Sequence, residues 1–135
     1  NFFSHIASSY QGKCATVIAF NQELSRKIYS GADIFLMPSK MEPCGLAQMI
    51  SSRYGTVPVV RETGGLNDSI KPYTGESGNG FTFHDYNAHD MLYVINEAIR
   101  TYYDKNAWET LVKRVMTTDF SWGNQAGEYE KIYNK

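Results

Sequence analysis

The chain is short of the features that mark a specialised environment. Its two cysteines, Cys14 and Cys44, are too few for a disulfide framework in 135 residues, so a reducing, cytoplasmic setting is the simpler expectation. Charge of one sign is missing as well: 13 Lys and Arg stand against 14 Asp and Glu, a formal net charge of −1. That balance leaves no electrostatic footprint for nucleic acid or an anionic membrane. No apolar run approaches the ~20 residues of a membrane-spanning helix, and no secretory signal pattern is present. His5, His84 and His89 lack metal-ligand spacing among themselves or with the cysteines, so surface or capping roles are expected and no metal site. Repeats and low-complexity tracts are absent. What is there is a 42% hydrophobic share, normal for one folded domain. The chain opens at Asn1 in what reads as the flank of an element, and a part of something longer is expected.

Periodicity divides the chain into alternating elements. Phe2, Phe3, Ile6 and Ala7 have helical spacing over residues 1–10. Residues 14–20 form a continuous apolar run with Thr16, Val17 and Ile18, the pattern of a buried strand. Asn21 suits the N-cap of a helix over 22–30, with Leu24 and Ile28 on one face and an exposed Glu23–Lys27 pair. Residues 34–37 read as a second buried strand. A helix over 45–54 follows, with Leu46, Met49 and Ile50 inward and Gly55 as its stop. Residues 57–61 read as a third strand, with Pro58 near its start. A short helix over 67–70 leads into an irregular polar loop over 71–79, and 81–83 form a short fourth strand. Asn87 caps an amphipathic helix carrying Met91, Leu92, Ile95, Ala98, Ile99 and Tyr102. Asn106 with Glu109 resembles a capping box for the next helix, and Ser121 caps a last one. Tyr102, Tyr103, Trp108 and Trp122 read as core or interdomain packing.

Apolar strands alternating with helices argue for α/β architecture, a Rossmann-like parallel sheet covered by helices on both faces. Ligands in such folds bind beyond the carboxyl ends of the strands. Two corners lie there. The first is Met37-Pro-Ser-Lys-Met-Glu-Pro-Cys-Gly-Leu46, where a strand empties into a helix start with one carboxylate, Glu42, ahead of it. Unpaired backbone N–H groups at such a point suit a phosphate or sugar hydroxyls, and Gly45 removes the side chain that would keep a ligand off the backbone. The second is Arg61-Glu-Thr-Gly-Gly-Leu66. The candidates have plainer readings: Glu42 as a loop carboxylate at a helix end, Gly64-Gly65 as a turn, and Phe20, at the end of its strand, as a core or loop aromatic rather than a nucleotide platform. Cys44 reads either as a thiol activated by the helix start or as a backbone contributor. Arg61 reads as a phosphate contact or an ion pair. His84-Asp85 suggests a dyad, but no nucleophile accompanies it.

The text from Tyr29 through Ser39-Lys-Met-Glu-Pro-Cys-Gly-Leu-Ala-Gln48, continuing over Arg53-Tyr-Gly-Thr-Val-Pro-Val-Val-Arg-Glu-Thr-Gly-Gly-Leu-Asn-Asp68 and Asp119-Phe-Ser-Trp122, resembles the bacterial glycogen synthase and plant starch synthase family. The resemblance covers nearly the whole chain. It implies a retaining glycosyltransferase of the GT-B architecture, in which two Rossmann-like domains face each other across a cleft. Residues 1–135 would be a partial C-terminal domain, N-terminally truncated, with its first strand–helix units absent. The reaction implied is transfer of glucose from ADP-glucose to the non-reducing end of an α-1,4-glucan. The location implied is the bacterial cytoplasm, or a plastid if the source is a plant.

By that resemblance Glu42 would accept hydrogen bonds from the donor glucose and stabilise a cationic transition state. Backbone groups near Cys44 and Gly45 would bind sugar hydroxyls, and those of Leu46 and Ala47 the diphosphate. Phe20 would pack on the adenine, while Thr63, Gly64 and Gly65 would border the phosphate or sugar pocket. No cofactor or metal is implied. Two positions depart from the wider pattern: Ile50 stands where many relatives carry a second Glu, and Ala47 where the family often has Thr. The family's phosphate-binding Arg and Lys, and the acceptor-facing N-terminal domain, would precede Asn1, so the chain alone is expected to be inactive. The family's strand order would also separate residues 14–20 from 34–37 by two strands, leaving open edges that favour a homodimer or strand exchange. The alternatives are a retaining GT-B enzyme using a UDP-sugar and a non-catalytic nucleotide-binding module.

Overall fold

The computed structural model describes residues 2–134. The elements run α1 (Phe2–Ser9), α2 (Gln22–Gly31), β1 (Ile34–Met37), α3 (Ala47–Arg53), β2 (Val57–Arg61), α4 (Gly64–Ser69), β3 (Phe81–Phe83), α5 (Ala88–Tyr103), α6 (Lys105–Thr117) and α7 (Trp122–Tyr133). The three strands form one parallel sheet in the order β1-β2-β3. Ile34 pairs in register with Val57 and Met37 with Val60, while Val59 pairs with Phe81 and Arg61 with Phe83. The α/β expectation therefore holds. No helix among the described residues is long and apolar enough to cross a membrane.

Side chains alternate across a strand, and β2 uses both faces. Val57 and Val59 join Phe81, Ala98, Trp108, Leu111 and Val115 in the larger core, under α5 and α6. Val60, on the opposite face, meets Leu66 and Ile70 in a second cluster that includes Met37 and Phe120 at its margin. Each fully buried Val or Leu contributes roughly 1.5–3 kcal/mol, which makes β2 the axis of the domain. Among the described residues, every buried apolar one falls between Val57 and Val115.

Several expectations are corrected. Residues 14–20 form no strand: the segment has no regular structure and pairs with no strand, with Val17 and Ile18 exposed. Apolar content can suggest a strand, but a strand needs a neighbour, and the described sheet ends at β1, with order β1-β2-β3. The segment is instead anchored to α1, where the Thr16 hydroxyl donates to Phe3 O at 3.0 Å. As an edge strand β1 is half-buried rather than buried. In α3 the inward face is Gln48, Ser51 and Ser52, while Leu46 and Ile50 are exposed. The two serine hydroxyls find a partner inside, both donating to Gln48 O, at 2.9 and 2.7 Å. Helix α4 starts at Gly64, three residues earlier than the sequence suggested. Asp104, not Asn106, caps α6, accepting from Ala107 N at 3.1 Å. Trp108 is core, with Tyr102 edge-on to it, but Tyr103 and Trp122 are exposed. On α5, Leu92 and Ile99 also face outward.

Other local readings hold. Asn21 and Asn87 cap α2 and α5, accepting from Leu24 N and Asp90 N at 2.9 Å each. Glu23 and Lys27 pair at 2.7 Å. The irregular loop over 71–79 is closed by Asn79, which is 6% exposed: its Oδ1 accepts from Lys71 N at 2.7 Å and its Nδ2 donates to Ser69 O at 3.1 Å.

Candidate functional site

Because the strands are parallel and in register, their carboxyl ends open on one edge of the sheet. Three connections leave from there: residues 38–46 after β1, 62–63 after β2 and 84–87 after β3. The first two are packed directly on each other. Gly65 N donates to Glu42 O at 3.1 Å. A side chain on Gly64 would collide with the backbone of Glu42, and one on Gly65 with the backbone of Cys44. Gly64 also adopts φ +46, in the left-handed region that favours glycine. The two corners proposed from sequence are therefore one site, and the absent side chains of Gly64 and Gly65 are what let them touch.

Arg61 ties this pair to the third connection. Its Nη1 donates to Lys40 O at 2.7 Å and its Nε to His84 O at 3.2 Å, and its guanidinium lies 5.4 Å from the centre of the Tyr86 ring. Guanidinium geometry suits such a fork of carbonyls and a ring face. Among the described residues Arg61 makes no ion pair; its contacts bracket the loops.

Glu42 is half-buried, and its Oε2 is 3.5 Å from the Ser39 hydroxyl, a marginal hydrogen bond. Gly45 follows with φ +73. Among the described residues, no acceptor meets the backbone N–H of Cys44, Gly45, Leu46 or Ala47, and Leu46 opens α3 without a side-chain cap. Thr63 holds extended backbone at φ −148, ψ 132 ahead of α4. A carboxylate, a run of unpaired N–H donors and a glycine corner thus share one edge of the sheet. The arrangement can receive an oxygen-rich ligand on the main chain and place one negative charge beside it.

The structure brings together Glu42, Cys44, Gly45, Leu46 and Ala47 on one loop and packs Thr63, Gly64 and Gly65 against it. Phe20 is not gathered in: it is 92% exposed just before the α2 cap and makes no ring contact among the described residues. Sequence reasoning missed Gln48, which is completely buried and donates through Nε2 to Cys44 O, Gly45 O and Ser69 Oγ. The available signal was spacing alone: Gln48 stands three residues after Gly45 and four after Cys44, close enough for its amide to donate back to their carbonyls.

Beside the site, His84 Nδ1 and Asp85 Oδ1 pair at 3.0 Å on the surface. The Asp85 hydrogen bond, aided by its charge, raises the His84 pKa above the ordinary value. Asp90 Oδ2 accepts from the backbone N–H of both residues, at 3.0 and 2.8 Å. The pair thus belongs to the entry of α5.

Comparison with known proteins places residues 3–114 on the family model "Glycosyl transferases group 1". The chain is 53% identical over 134 residues to a glycogen synthase of Bacillus cereus, covering 98% of the chain and 28% of that protein. It is 51% identical over 136 residues to the glycogen synthase of Geobacillus thermodenitrificans, again covering 28% of it. The chain therefore spans a little over a quarter of the length of these curated relatives. Among solved structures, the catalytic domain of starch synthase IV from Arabidopsis thaliana, bound to ADP and acarbose, superposes with a TM-score of 0.86 at 38% identity. That match covers 98% of this chain and 29% of the other. A sucrose-phosphate synthase of Thermosynechococcus elongatus matches in fold, with a TM-score of 0.66 at 20% identity.

Proposed function

The chain belongs to the group 1 glycosyltransferases, and from that premise we propose that it is the donor-binding part of a retaining glucosyltransferase that extends an α-1,4-glucan from ADP-glucose. The observation that carries the reading is the packing of the Glu42–Ala47 loop on Gly64 and Gly65, with unpaired backbone donors at the carboxyl edge of the sheet. The glycogen synthases among its relatives, and a starch synthase of the same fold bound to ADP and acarbose, support the choice of donor and acceptor. An N-terminal domain of the same enzyme would close the cleft and carry the acceptor side.

In this reading the N–H groups of Leu46 and Ala47 meet the diphosphate and those near Cys44 and Gly45 meet sugar hydroxyls. Glu42 lies against the glucose. The bond from the anomeric carbon to the diphosphate oxygen breaks, with its electron pair leaving on ADP. A glucan hydroxyl oxygen bonds the same carbon from the same face and passes its proton to the departing diphosphate oxygen. Charge develops in both directions, on the diphosphate and on the sugar, and preoriented N–H donors and one carboxylate stabilise it without a metal. Thr63 borders the pocket, and Phe20 reaches the adenine only with the rest of the protein in place. Bacterial glycogen synthases as relatives support a cytoplasmic location.

The test is glucosyl transfer to glycogen by the whole protein, with ADP-glucose against UDP-glucose. ADP-glucose should be the preferred donor. Glu42→Gln should lower turnover by about 10²-fold or more with little change in ADP affinity, because its contribution is made in the transition state. Preference for UDP-glucose would move the protein to another branch, and unaltered turnover in Glu42→Gln would remove that residue from catalysis. The 135-residue chain alone should transfer nothing.

A further inference from the structure

Gln48 is completely buried, yet its Oε1 is the buried side-chain atom left without a hydrogen-bond partner among the described residues. Such an atom costs stability and calls for an explanation. Turning the amide over would not rescue it. Nε2 already faces Cys44 O at 3.3 Å, Gly45 O at 2.9 Å and Ser69 Oγ at 3.0 Å, and exchanging it for oxygen would set acceptor against acceptor at the two carbonyls. The orientation is therefore fixed by those carbonyls. Ser69 extends the link, since its hydroxyl donates to Gly65 O at 2.7 Å. One buried amide thus holds carbonyls of the Glu42 loop directly and a carbonyl of the glycine corner through one hydroxyl.

The consequence follows from peptide geometry. All peptide bonds in the described chain are trans, so within each planar unit the C=O and N–H point in opposite directions. The carbonyl of Cys44 shares its plane with the N–H of Gly45, and that of Gly45 with the N–H of Leu46. Drawing both carbonyls inward onto Gln48 turns both N–H groups outward, and neither has an acceptor among the described residues. Gly45 makes this approach possible: a Cβ there would stand 2.6 Å from Gln48 Oε1 and 3.1 Å from Nε2.

We propose that Gln48, relayed by Ser69, is a positioning residue that aims the backbone N–H groups of Gly45 and Leu46 at the donor, resting on the donor-site reading given above. It does not touch the ligand. Its unpaired Oε1 is the cost of committing both amide hydrogens to the loop.

The experiment uses the whole protein and compares wild type with Gln48→Met and Ser69→Ala. Methionine keeps the volume and removes both donors together with the unpaired acceptor, so its structural effect is small. Calorimetric titration with ADP should show Gln48→Met weakened by about tenfold, the loss expected when one or two charge-assisted hydrogen bonds are misaimed. Ser69→Ala should weaken ADP by about threefold, since one of three anchors is removed. The KM for glycogen should be unchanged in both. A residue that merely supports the fold would reduce the fraction of active protein and leave the ADP Kd of the remainder as in wild type. Wild-type ADP affinity in a folded Gln48→Met overturns the proposal; if that variant does not fold, wild-type affinity in Ser69→Ala does so. A wild type that binds no ADP overturns the donor-site reading and this proposal with it.

Discussion

Gly65→Ala adds one methyl group at the contact that joins the two halves of the site. A Cβ at Gly65 would stand 2.6 Å from the Cα of Cys44 and 2.7 Å from its carbonyl carbon. Carbon atoms prefer about 3.5–4.0 Å, so the loop and the corner must part by roughly 1 Å. All the atoms met are backbone, so no rotamer change relieves the clash. Overpacking of this kind costs about 1–3 kcal/mol. Strain at Gly65 itself is not the cause, because its φ is not among the positive values that mark Gly45 and Gly64. The effect on chemistry should be larger, since a 1 Å misplacement of a positioned group lowers rate by about 10²-fold. The assay pairs thermal unfolding of the whole protein with glucosyl transfer from ADP-glucose. Gly127→Ala, in the interior of α7 with nothing within 4 Å of the added carbon, is the control and should gain roughly 0.5–1 kcal/mol with transfer unchanged. Transfer at the wild-type rate in Gly65→Ala would refute the claim that the contact between loop and corner sets the geometry of the site.

Two further outcomes are expected. Asn79→Ala removes the buried amide that partners Lys71 N and Ser69 O, and should destabilise by about 1–3 kcal/mol in chemical denaturation, with ADP affinity retained. The His84 ring should titrate above the ordinary value of 6.5 by NMR, and Asp85→Asn should bring it back down. Because the folded value is raised, the stabilisation from this pair is complete below about 6.5 and is lost as pH rises through the raised value. A midpoint unmoved by Asp85→Asn would exclude Asp85 as the cause.

What could be read from the sequence depended on whether the cause was local. The caps at Asn21 and Asn87 and the strands over 34–37, 57–61 and 81–83 follow from chemistry within a few residues, and they hold in the structure. Both glycine corners were visible because strand ends and glycines advertise themselves. Their contact was not, since nothing within either segment says that Gly65 N meets Glu42 O. Residues 14–20 failed for a related reason: apolar content gives the tendency to form a strand, but pairing depends on a neighbour elsewhere in the chain. The inward face of α3 was misread because hydrophobicity assigned Leu46 and Ile50 to the interior. The buried positions instead went to Gln48, Ser51 and Ser52, whose hydroxyls and amide nitrogen find hydrogen-bond partners there. Arg61 showed its charge but not its carbonyl partners.

The confinement of buried apolar side chains to the stretch from Val57 to Val115 has a dynamic consequence. Local opening is governed by how much packed surface a segment shares, so α1 and α2, which bury no residue, should exchange readily and the part from β2 onward slowly. The Glu42 loop lies between the two in the chain. Its fastenings run to the latter: Arg61 to Lys40 O, Gly65 N to Glu42 O, and Gln48 through Ser69 to Gly65 O. A loop wired in this way takes its lifetime from the block it is stapled to, and can keep its shape while the helices that precede it in the chain fray and re-form.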